Sequence, residues 1–485
     1  MLGVRSVCLK PRRLNGAHLN DLMTLQPILH KLYDAVARDV DFVSHAIRSC
    51  IPRCAWQEKE LDIFQMTATQ AAEKPRLLLP NSVFLQPNER SSTLIVGNVQ
   101  AGEPFHVELL HGELRQTLSQ PVEPGPLHAH CDAIATAAKL IHPHAPCVAI
   151  LTKPKGALAQ RTSTDVKGVG KTLLESYGMH TVIYVSMQDL AAAIIDADGH
   201  LKLGDHRISV VYSRYDFSHP FGCPQQGSEI LQSVGESTDG SAGSSQTSMG
   251  SDRTYQVRGN DCSDRERLNL LWQEWQTIAT MERSSAVISS DLGCRLAHRR
   301  SVAYALAQPG GVERFLTDER EVAGVRAVLP EQWSLRSCYP QSFESAMTLV
   351  KADPGDFIAK NILRPRTGSG ATQDRYASGG MPVLGAADVL KLIGDECKRE
   401  WYLLYQRLDP ITHAATVRNT NHSIHCLQRA VSEVAVYGAY LTMPGEDVPV
   451  INTSAGVAAR TRPDDATDPV AASLGYGALS CVAAY

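Results

Sequence analysis

Three short runs of β-branched residues constrain the fold of this chain more than any other feature. The runs CVAILTK, TVIYVSM and RISVVYS lie between about Pro146 and Ser213, and a helical stretch around Val169 to Tyr177 separates the first two. Parallel strands need a crossover connection, which is usually a helix, so this order is typical of a parallel sheet. The sequence therefore predicts an α/β unit in this region.

The length of 485 residues predicts more than one structural unit, because a single hydrophobic core does not grow to that size. The α/β unit is one such structural unit. Within the unit, Ser233 to Asp252 carry almost no large apolar side chains. Such a segment cannot offset the entropy of ordering, which predicts a disordered insertion at about 225–256.

Helices and further strands are predicted on both sides of this unit. Apolar residues from Leu22 to Val43 recur every three or four positions, as on one face of a helix, and Pro27 suits the first turn of such a helix. A second helical stretch includes Trp275 and Ile278. The later runs SAVISS, WYLLYQRL and EVAVYGAYLT have strand composition and predict a mixed sheet toward the C-terminus.

The charge balance excludes binding through a global electrostatic field. Lys and Arg number 47 against 51 Asp and Glu, so no net positive field is available for nucleic acid or an anionic membrane. Any anionic ligand must be held by a local basic cluster. We find neither an apolar run of about 18 residues nor a signal-peptide core, and the scattered cysteines suggest reduced thiols. A cytoplasmic protein is expected, since the basic N-terminal stretch is short for an organellar presequence.

The segment GVGKTL, Gly168 to Leu173, ends like a phosphate-binding P-loop. Asp165 occupies the position of the first glycine of that motif, where its carboxylate would repel a phosphate, and no strand directly precedes it. The sequence instead predicts the start of a helix with a solvated Lys171.

Two His-x-His pairs, His128 with His130 and His142 with His144, offer nitrogen ligands for a transition metal if the fold brings them together. Apart from Cys131, no acid or cysteine pattern at conventional spacing accompanies these histidines. The lack of such a pattern favours histidines on the surface or in loops. A G-x-S-x-G motif is absent from the sequence, so nothing supports a hydrolase.

Two basic segments are candidates for binding an anion. In FIAKNILRPRTGSGATQDRYASGG, Phe357 to Gly380, Lys360 and two arginines precede a glycine- and serine-rich loop, as a polyphosphate site requires, although a disordered basic loop has the same composition. In ARTR, Arg460 and Arg462 are two residues apart. On an extended segment they point the same way and could clamp one anionic group.

Taken in order, these segments resemble eukaryotic glutathione synthetase, a family of the ATP-grasp superfamily. The resemblance extends from about Thr24 to Tyr485. It is carried by VVYSRYDF (Val210–Phe217), MERSSA (Met281–Ala286), FIAK with its glycine-rich loop, SEVAVYGAYL, and AARTR followed by PVAA.

The resemblance implies an ATP-grasp fold of mixed α/β class, with residues 146–293 as an inserted α/β substrate-binding domain and residues 1–145 and 294–485 as the two parts of the ATP-grasp body. It also implies an ATP-dependent ligase that joins glycine to γ-glutamylcysteine through an acyl phosphate, with ATP and Mg²⁺ as cofactors. A homodimer is expected from the same resemblance, whereas the charge balance predicts neither a nucleic acid nor a membrane partner.

Site residues follow from the resemblance, residue by residue. Lys360 matches a lysine that contacts ATP phosphates, and Arg300 stands where the family has another ATP-contacting lysine. Glu433 matches an acid of the nucleotide pocket. Arg460 matches the arginine that binds the dipeptide and stabilises the transition state, and Arg462 replaces a lysine near the nucleotide. The remaining implied contacts are Gly368, Gly370 and Tyr376 for ATP, and Arg90, Gln160, Arg214, Val470 and Ala471 for the substrates.

The expected magnesium site departs from the family pattern. Glu108 matches the first metal ligand, but Leu110 stands where the family has an asparagine, and Glu113 and Arg115 replace serines that hold the dipeptide. The acid that opens the glycine-rich loop is missing, with Thr367 nearest. An active ligase is the main expectation, and a catalytically weakened nucleotide-binding relative is the alternative.

Overall fold

The computed structural model describes residues 6–50, 55–88, 91–98, 104–117, 125–152, 157–213, 262–362, 386–419, 421–464 and 478–485. The helices, numbered in chain order, are α1 (Gly16–Arg38), α2 (Val40–Cys50), α3 (Ala55–Ala72), α4 (Pro104–Thr117), α5 (Leu127–Ile141), α6 (Ala157–Ser176), α7 (Met187–Leu190), α8 (Cys262–Arg283), α9 (Leu292–Ala297), α10 (Arg300–Ala307), α11 (Glu319–Val328), α12 (Pro340–Ala352), α13 (Ala386–Gly394) and α14 (Glu396–Arg399). Among the described residues, no helix combines the length and apolarity needed to cross a bilayer.

The strands are β1 (Val7–Cys8), β2 (Arg12–Leu14), β3 (Arg76–Leu78), β4 (Asn81–Asn88), β5 (Ser91–Asn98), β6 (Cys147–Leu151), β7 (Thr181–Val185), β8 (Ile194–Ile195), β9 (Leu201–Leu203), β10 (His206–Ile208), β11 (Val210–Ser213), β12 (Val287–Ser289), β13 (Gln332–Ser334), β14 (Phe357–Asn361), β15 (Tyr402–Gln406), β16 (Thr412–Arg418), β17 (Ile424–Thr442), β18 (Ile451–Pro463), β19 (Ala478–Ser480) and β20 (Val482–Ala484).

The predicted parallel sheet is confirmed. Its order is β12-β11-β6-β7, and all three pairings are parallel. Helix α6 connects β6 to β7. It begins at Ala157, twelve residues before Val169, where the predicted helical stretch begins. The two central strands are buried along their length, which explains their near-continuous apolar sequence.

The GVGKTL segment lies inside α6, and its glycines have a packing role. A Cβ atom on Gly168 would lie 2.2 Å from Cγ of Phe105, and one on Gly170 would lie 2.2 Å from Oη of Tyr184. These contacts allow α6 to approach α4 and β7 closely. Lys171 is exposed, as predicted, but it lies in the helix interior and not at its start.

The largest sheet is built around the two long strands β17 and β18. Its order is β16-β1-β19-β18-β17-β4-β5, and β3 pairs with the C-terminal end of β17. Strand β16 pairs with both β1 and β17, so the strands β16, β1, β19, β18 and β17 form a closed ring.

Helices cover both faces of this sheet. Val434 and Val436 of β17 belong to one apolar cluster with the leucines of α1, whereas Ala435 and Tyr437 belong to another with Leu110 of α4. This alternation follows from the two-residue period of a strand. The α1 leucines recur at the predicted helical spacing.

The predicted helix from Leu22 to Val43 is two helices in the structure. Asn15 begins α1 earlier, because its side chain accepts hydrogen bonds from the backbone N–H groups of Ala17 and His18. Helix α1 ends at Arg38 and α2 begins at Val40. Pro27 consequently lies in the interior of α1, so its predicted place in the first turn is wrong.

Helices α1 and α5 both place a histidine against Gly438 of β17. A Cβ atom there would lie 1.9 Å from Nε2 of His30, and the Gly438 carbonyl contacts Nε2 of His130 at 3.0 Å. Burial lowers the pKa of His30 to about 4, which keeps it neutral at pH 7. His130 is buried, so the prediction of a surface or loop histidine is wrong at this position.

The second histidine pair also does not join the first. His142 Nε2 lies 3.2 Å from Nδ1 of His200, and His144 is exposed. Within the part of the chain that the structure describes, no group of three His, Cys, Asp or Glu side chains is arranged to hold a metal ion.

A buried ionic cluster ties several elements together. Arg76 of β3 donates to Asp291 at 2.6 Å and to Asp34 of α1 at 3.1 Å, and all three side chains are almost fully buried. Glu282, from the MERSSA segment, accepts from the N–H group of Leu292 at 2.8 Å. This segment therefore supports the fold at the start of α9.

Candidate functional site

The candidate site begins where β17 and β18 pair. Glu433 lies directly opposite Arg460 in the antiparallel register, and Val431 lies opposite Arg462. Residues two apart on a strand share a face, so Glu433, Arg460 and Arg462 are on the face that also carries Ala435. The Nε atom of Arg462 lies 3.6 Å from Oε1 of the buried Glu433.

Lys360 reaches the same cluster from another sheet. It lies on β14 of the three-stranded antiparallel sheet β13-β15-β14. Ile358 and Ile362 pack against the main core, whereas Phe357 and Ala359 belong to a separate cluster. Strand alternation therefore directs Lys360 toward the main body, where its charge acts on Glu433.

The electrostatics of these four residues favour an anionic ligand. Burial raises the pKa of the Glu433 carboxyl above its ordinary value. The positive charges of Arg462, Arg460 and Lys360 oppose this rise, in that order of strength. Among these four residues three cations surround one acid, and a positive cluster of this kind attracts an anion.

Two contacts hold Lys360 in place, and the sequence did not reveal either. Its Nζ atom lies 4.8 Å from the ring centroid of Tyr405, on the neighbouring strand β15. The guanidinium of Arg300 donates to the carbonyl of Asn361, the residue that follows Lys360. The strand composition of WYLLYQRL predicted β15, but the tyrosine contact depends on its register with β14.

The structure therefore brings together five of the residues predicted from the resemblance: Lys360, Arg300, Glu433, Arg460 and Arg462. Gln160 lies in α6, but its side chain is not among those that the structure describes. The other predicted contacts fall outside the described residues, namely Arg90, Arg214, Gly368, Gly370, Tyr376, Val470 and Ala471.

The described residues near Glu108 do not complete a magnesium site. Glu108 is partly buried on α4, and its Oε2 atom lies against Gly125, where a Cβ atom would be only 2.4 Å away. Leu110 is 1% exposed and packs in the apolar cluster with Ala435 and Tyr437. A buried leucine offers no oxygen ligand for Mg²⁺. Glu113, one turn further on, forms an ion pair with Arg418 at 3.4 Å.

The class of the fold follows from this architecture and from a solved structure. A glutathione synthetase-like effector (GSS30) of Globodera pallida in its apo form superposes with a TM-score of 0.66, covering 99% of this chain and 90% of that one at 12% identity. The chain has an ATP-grasp-like fold of mixed α/β class.

Sequence comparisons then define the family. The family model of the eukaryotic glutathione synthase ATP-binding domain matches residues 117–483. The chain belongs to the eukaryotic glutathione synthase family. The chloroplastic glutathione synthetase of Arabidopsis thaliana is 27% identical over 215 residues, which cover 43% of this chain and 35% of that protein. The mouse glutathione synthetase is 21% identical over 437 residues, covering 89% of this chain and 80% of its own length.

Proposed function

We propose that this protein is an ATP-dependent ligase that joins glycine to γ-glutamylcysteine and releases glutathione, ADP and phosphate. The observation that carries the proposal is the convergence of Lys360, Arg460 and Arg462 around the buried Glu433. Membership of the family supports the ligase class and the use of ATP.

In the proposed reaction, a carboxylate oxygen of the dipeptide attacks the γ-phosphorus of ATP, and ADP leaves. The amine of glycine then attacks the acyl carbon, the C–O bond to phosphate breaks, and the nitrogen loses a proton. A free carboxylate does not react with an amine at useful rates, so the acyl phosphate makes amide formation possible. Catalysis of this kind depends mainly on positioning and on neutralisation of charge.

Each cation of the cluster has a separate role in this proposal. Lys360 neutralises the polyphosphate, and Tyr405 and Arg300 keep it directed at that position. Arg460 faces the reacting carboxyl group and stabilises the oxyanion that develops when the amine attacks the acyl phosphate. Arg462 holds Glu433 at the nucleotide pocket through their ion pair. Among the described residues, Leu110 supplies no oxygen ligand for Mg²⁺ at the position where the resemblance implies one.

The remaining expectations form part of the same proposal. Residues 146–293 constitute the substrate-binding domain, and residues 1–145 with 294–485 constitute the ATP-grasp body. The active form is a homodimer in the cytoplasm. Light scattering of the purified protein would test the dimer.

The decisive test is an ATP-coupled assay of phosphate release with γ-glutamylcysteine and a panel of amino acids. We expect glycine to give the highest kcat/KM. Omission of either the dipeptide or the amine should abolish turnover. Faster turnover with another small amine would retain the ligase class and replace the proposed second substrate.

The burial of Leu110 favours a second candidate, a nucleotide-binding relative with weakened catalysis. In that case ATP binds to the cluster, but no dipeptide and amine pair supports phosphate release. Calorimetric titration of ATP alongside the coupled assay separates the two candidates, because both predict binding and only the ligase predicts turnover.

A further inference from the structure

Two histidines that are far apart in sequence meet between α5 and the small sheet formed by β8, β9 and β10. His142 ends α5, and its Nε2 atom lies 3.2 Å from Nδ1 of His200, the residue before β9. The centroids of the two rings are 4.5 Å apart, and both side chains are partly buried. The contact therefore links the small sheet to α5.

Uncharged serine hydroxyls face the two rings from the neighbouring segments. Nδ1 of His142 lies 2.8 Å from Oγ of Ser209, which stands between β10 and β11. Nδ1 of His200 lies 2.8 Å from Oγ of Ser285, and the N–H group of Ser285 donates to the carbonyl of Gly199 at 2.9 Å. A hydroxyl group can donate or accept, so these bonds hold each ring in either tautomer.

The contact between the rings accommodates one extra proton but not two. If Nε2 of His142 carries a hydrogen, it donates to Nδ1 of His200, and the reverse arrangement serves as well. One imidazolium and one neutral ring therefore form the same hydrogen bond as two neutral rings. When both rings are protonated, two N–H groups face each other across 3.2 Å and two positive charges repel. The contact must then break.

The charged groups that act on the pair lie on the small sheet. Burial lowers the pKa of His142 below its ordinary value, and the charges of His200 and Arg207 lower it further, whereas Asp196 opposes this shift. Arg207 forms ion pairs with Asp196 at 2.7 Å and with Asp198 at 2.6 Å. Burial raises the pKa of the Asp196 carboxyl, but two backbone N–H groups and Arg207 lower it overall. Asp196 therefore stays ionised in the pH range where histidines titrate.

We propose that the contact between His142 and His200 is a pH-sensitive latch, which holds the small sheet against α5 at neutral pH and releases it in acid. The open pair binds one proton more than the closed pair, with the ordinary histidine pKa of about 6.5. The ratio of open to closed latch should therefore rise about tenfold between pH 7.5 and pH 5.5. Opening is local, because Leu201 and Ile208 stay buried in the main core.

Hydrogen exchange of the full chain, followed by mass spectrometry of its peptides, tests the latch. Protection factors at pH 7.5 and pH 5.5 remove the intrinsic pH dependence of exchange. The reporting N–H groups are those of Asp196, Gly199 and His200, which are bonded within the β8–β9 turn, and that of Ser285. We expect their protection factors to be about tenfold lower at pH 5.5. Amides of β17 report global unfolding and should keep their protection.

Glutamine variants separate the latch from a general effect of acid. His142→Gln and His200→Gln each keep a hydrogen-bonding group but remove one titrating ring, so the tenfold change should disappear in both. His206→Gln is the matched control, because His206 is exposed on β10 of the same sheet, and it should keep the full change. Thermal unfolding at pH 7.5 checks that each variant folds.

The wild-type comparison alone can refute the latch, even if neither latch variant folds. Equal protection of the turn amides at the two pH values would overturn the proposal. A tenfold change that persists in His142→Gln or His200→Gln would also overturn it, as would loss of the change in His206→Gln. The proposal is independent of the reaction proposed above, because the latch shares no residue with the candidate site.

Discussion

Replacement of Arg460 by alanine gives the sharpest test of the candidate site. Arg460 is half-buried on β18, directly opposite Glu433. A developing unit charge about 5 to 6 Å from its guanidinium, at an effective dielectric constant of about 20, interacts with it by about 3 kcal/mol. A loss of this size in the transition state corresponds to roughly a 100-fold lower kcat. Because Lys360 and Arg462 remain, the KM for ATP should change much less than kcat.

The assay is the coupled measurement of phosphate release with γ-glutamylcysteine and glycine, at saturating and limiting ATP. Arg429→Ala is the matched control, because Arg429 lies on β17 but is exposed and pairs with Asp464. Its kcat should equal that of the wild type. Thermal unfolding checks that Arg460→Ala still folds. An unchanged kcat in the folded Arg460→Ala protein, or an equal loss in Arg429→Ala, would refute the assignment of Arg460.

Three further predictions follow from the described contacts. Lys360→Ala should weaken ATP binding several-fold in calorimetry with little change in Tm, since a half-buried lysine contributes little to stability; unchanged affinity would contradict its role. Leu110→Asn should lower the free energy of unfolding by about 3 kcal/mol in urea titration, because it buries an amide among apolar side chains. If added Mg²⁺ restored the stability of this variant, a metal site would be shown instead. Burial raises the pKa of Asp291, but Arg76 and nearby hydrogen-bond donors lower it to about 2 overall, so the ionised carboxylate stabilises the fold above about pH 4. Asp291→Asn should therefore lower the free energy of unfolding by about 3 kcal/mol at pH 7, and this loss should shrink as the pH falls from 4 to 2.

The sequence predicted best those elements whose burial is uniform. Strands β6 and β11 are apolar along their length because helices or strands cover them on all sides, so composition alone identified them. Strand β18 was not predicted, because Ile451 to Pro463 are mostly small or polar residues whose strand conformation depends on pairing with β17. The helix start at Asn15 was missed because Pro27 was taken as a boundary signal.

The candidate site could be predicted in part for the same reason. The spacing of Arg460 and Arg462 placed both on one face of an extended segment, as the structure shows. Their position opposite Glu433 depends on the β17–β18 register, which joins residues far apart in sequence. The approach of Lys360 depends on how a second sheet packs against the first, and no local pattern encodes that arrangement.

The face of β17 and β18 that carries the cluster also explains why binding and stability can be tested separately. Stepping by two residues along β17 leads from Glu433 to Ala435 and Tyr437, and along β18 from Arg460 to Ala458. The apolar members belong to one cluster with Leu110 of α4, whereas the charged members lie outside that cluster. Substitutions in the apolar part should therefore change the free energy of unfolding first. Substitutions in the charged part should change ligand affinity or kcat while the same sheet remains folded.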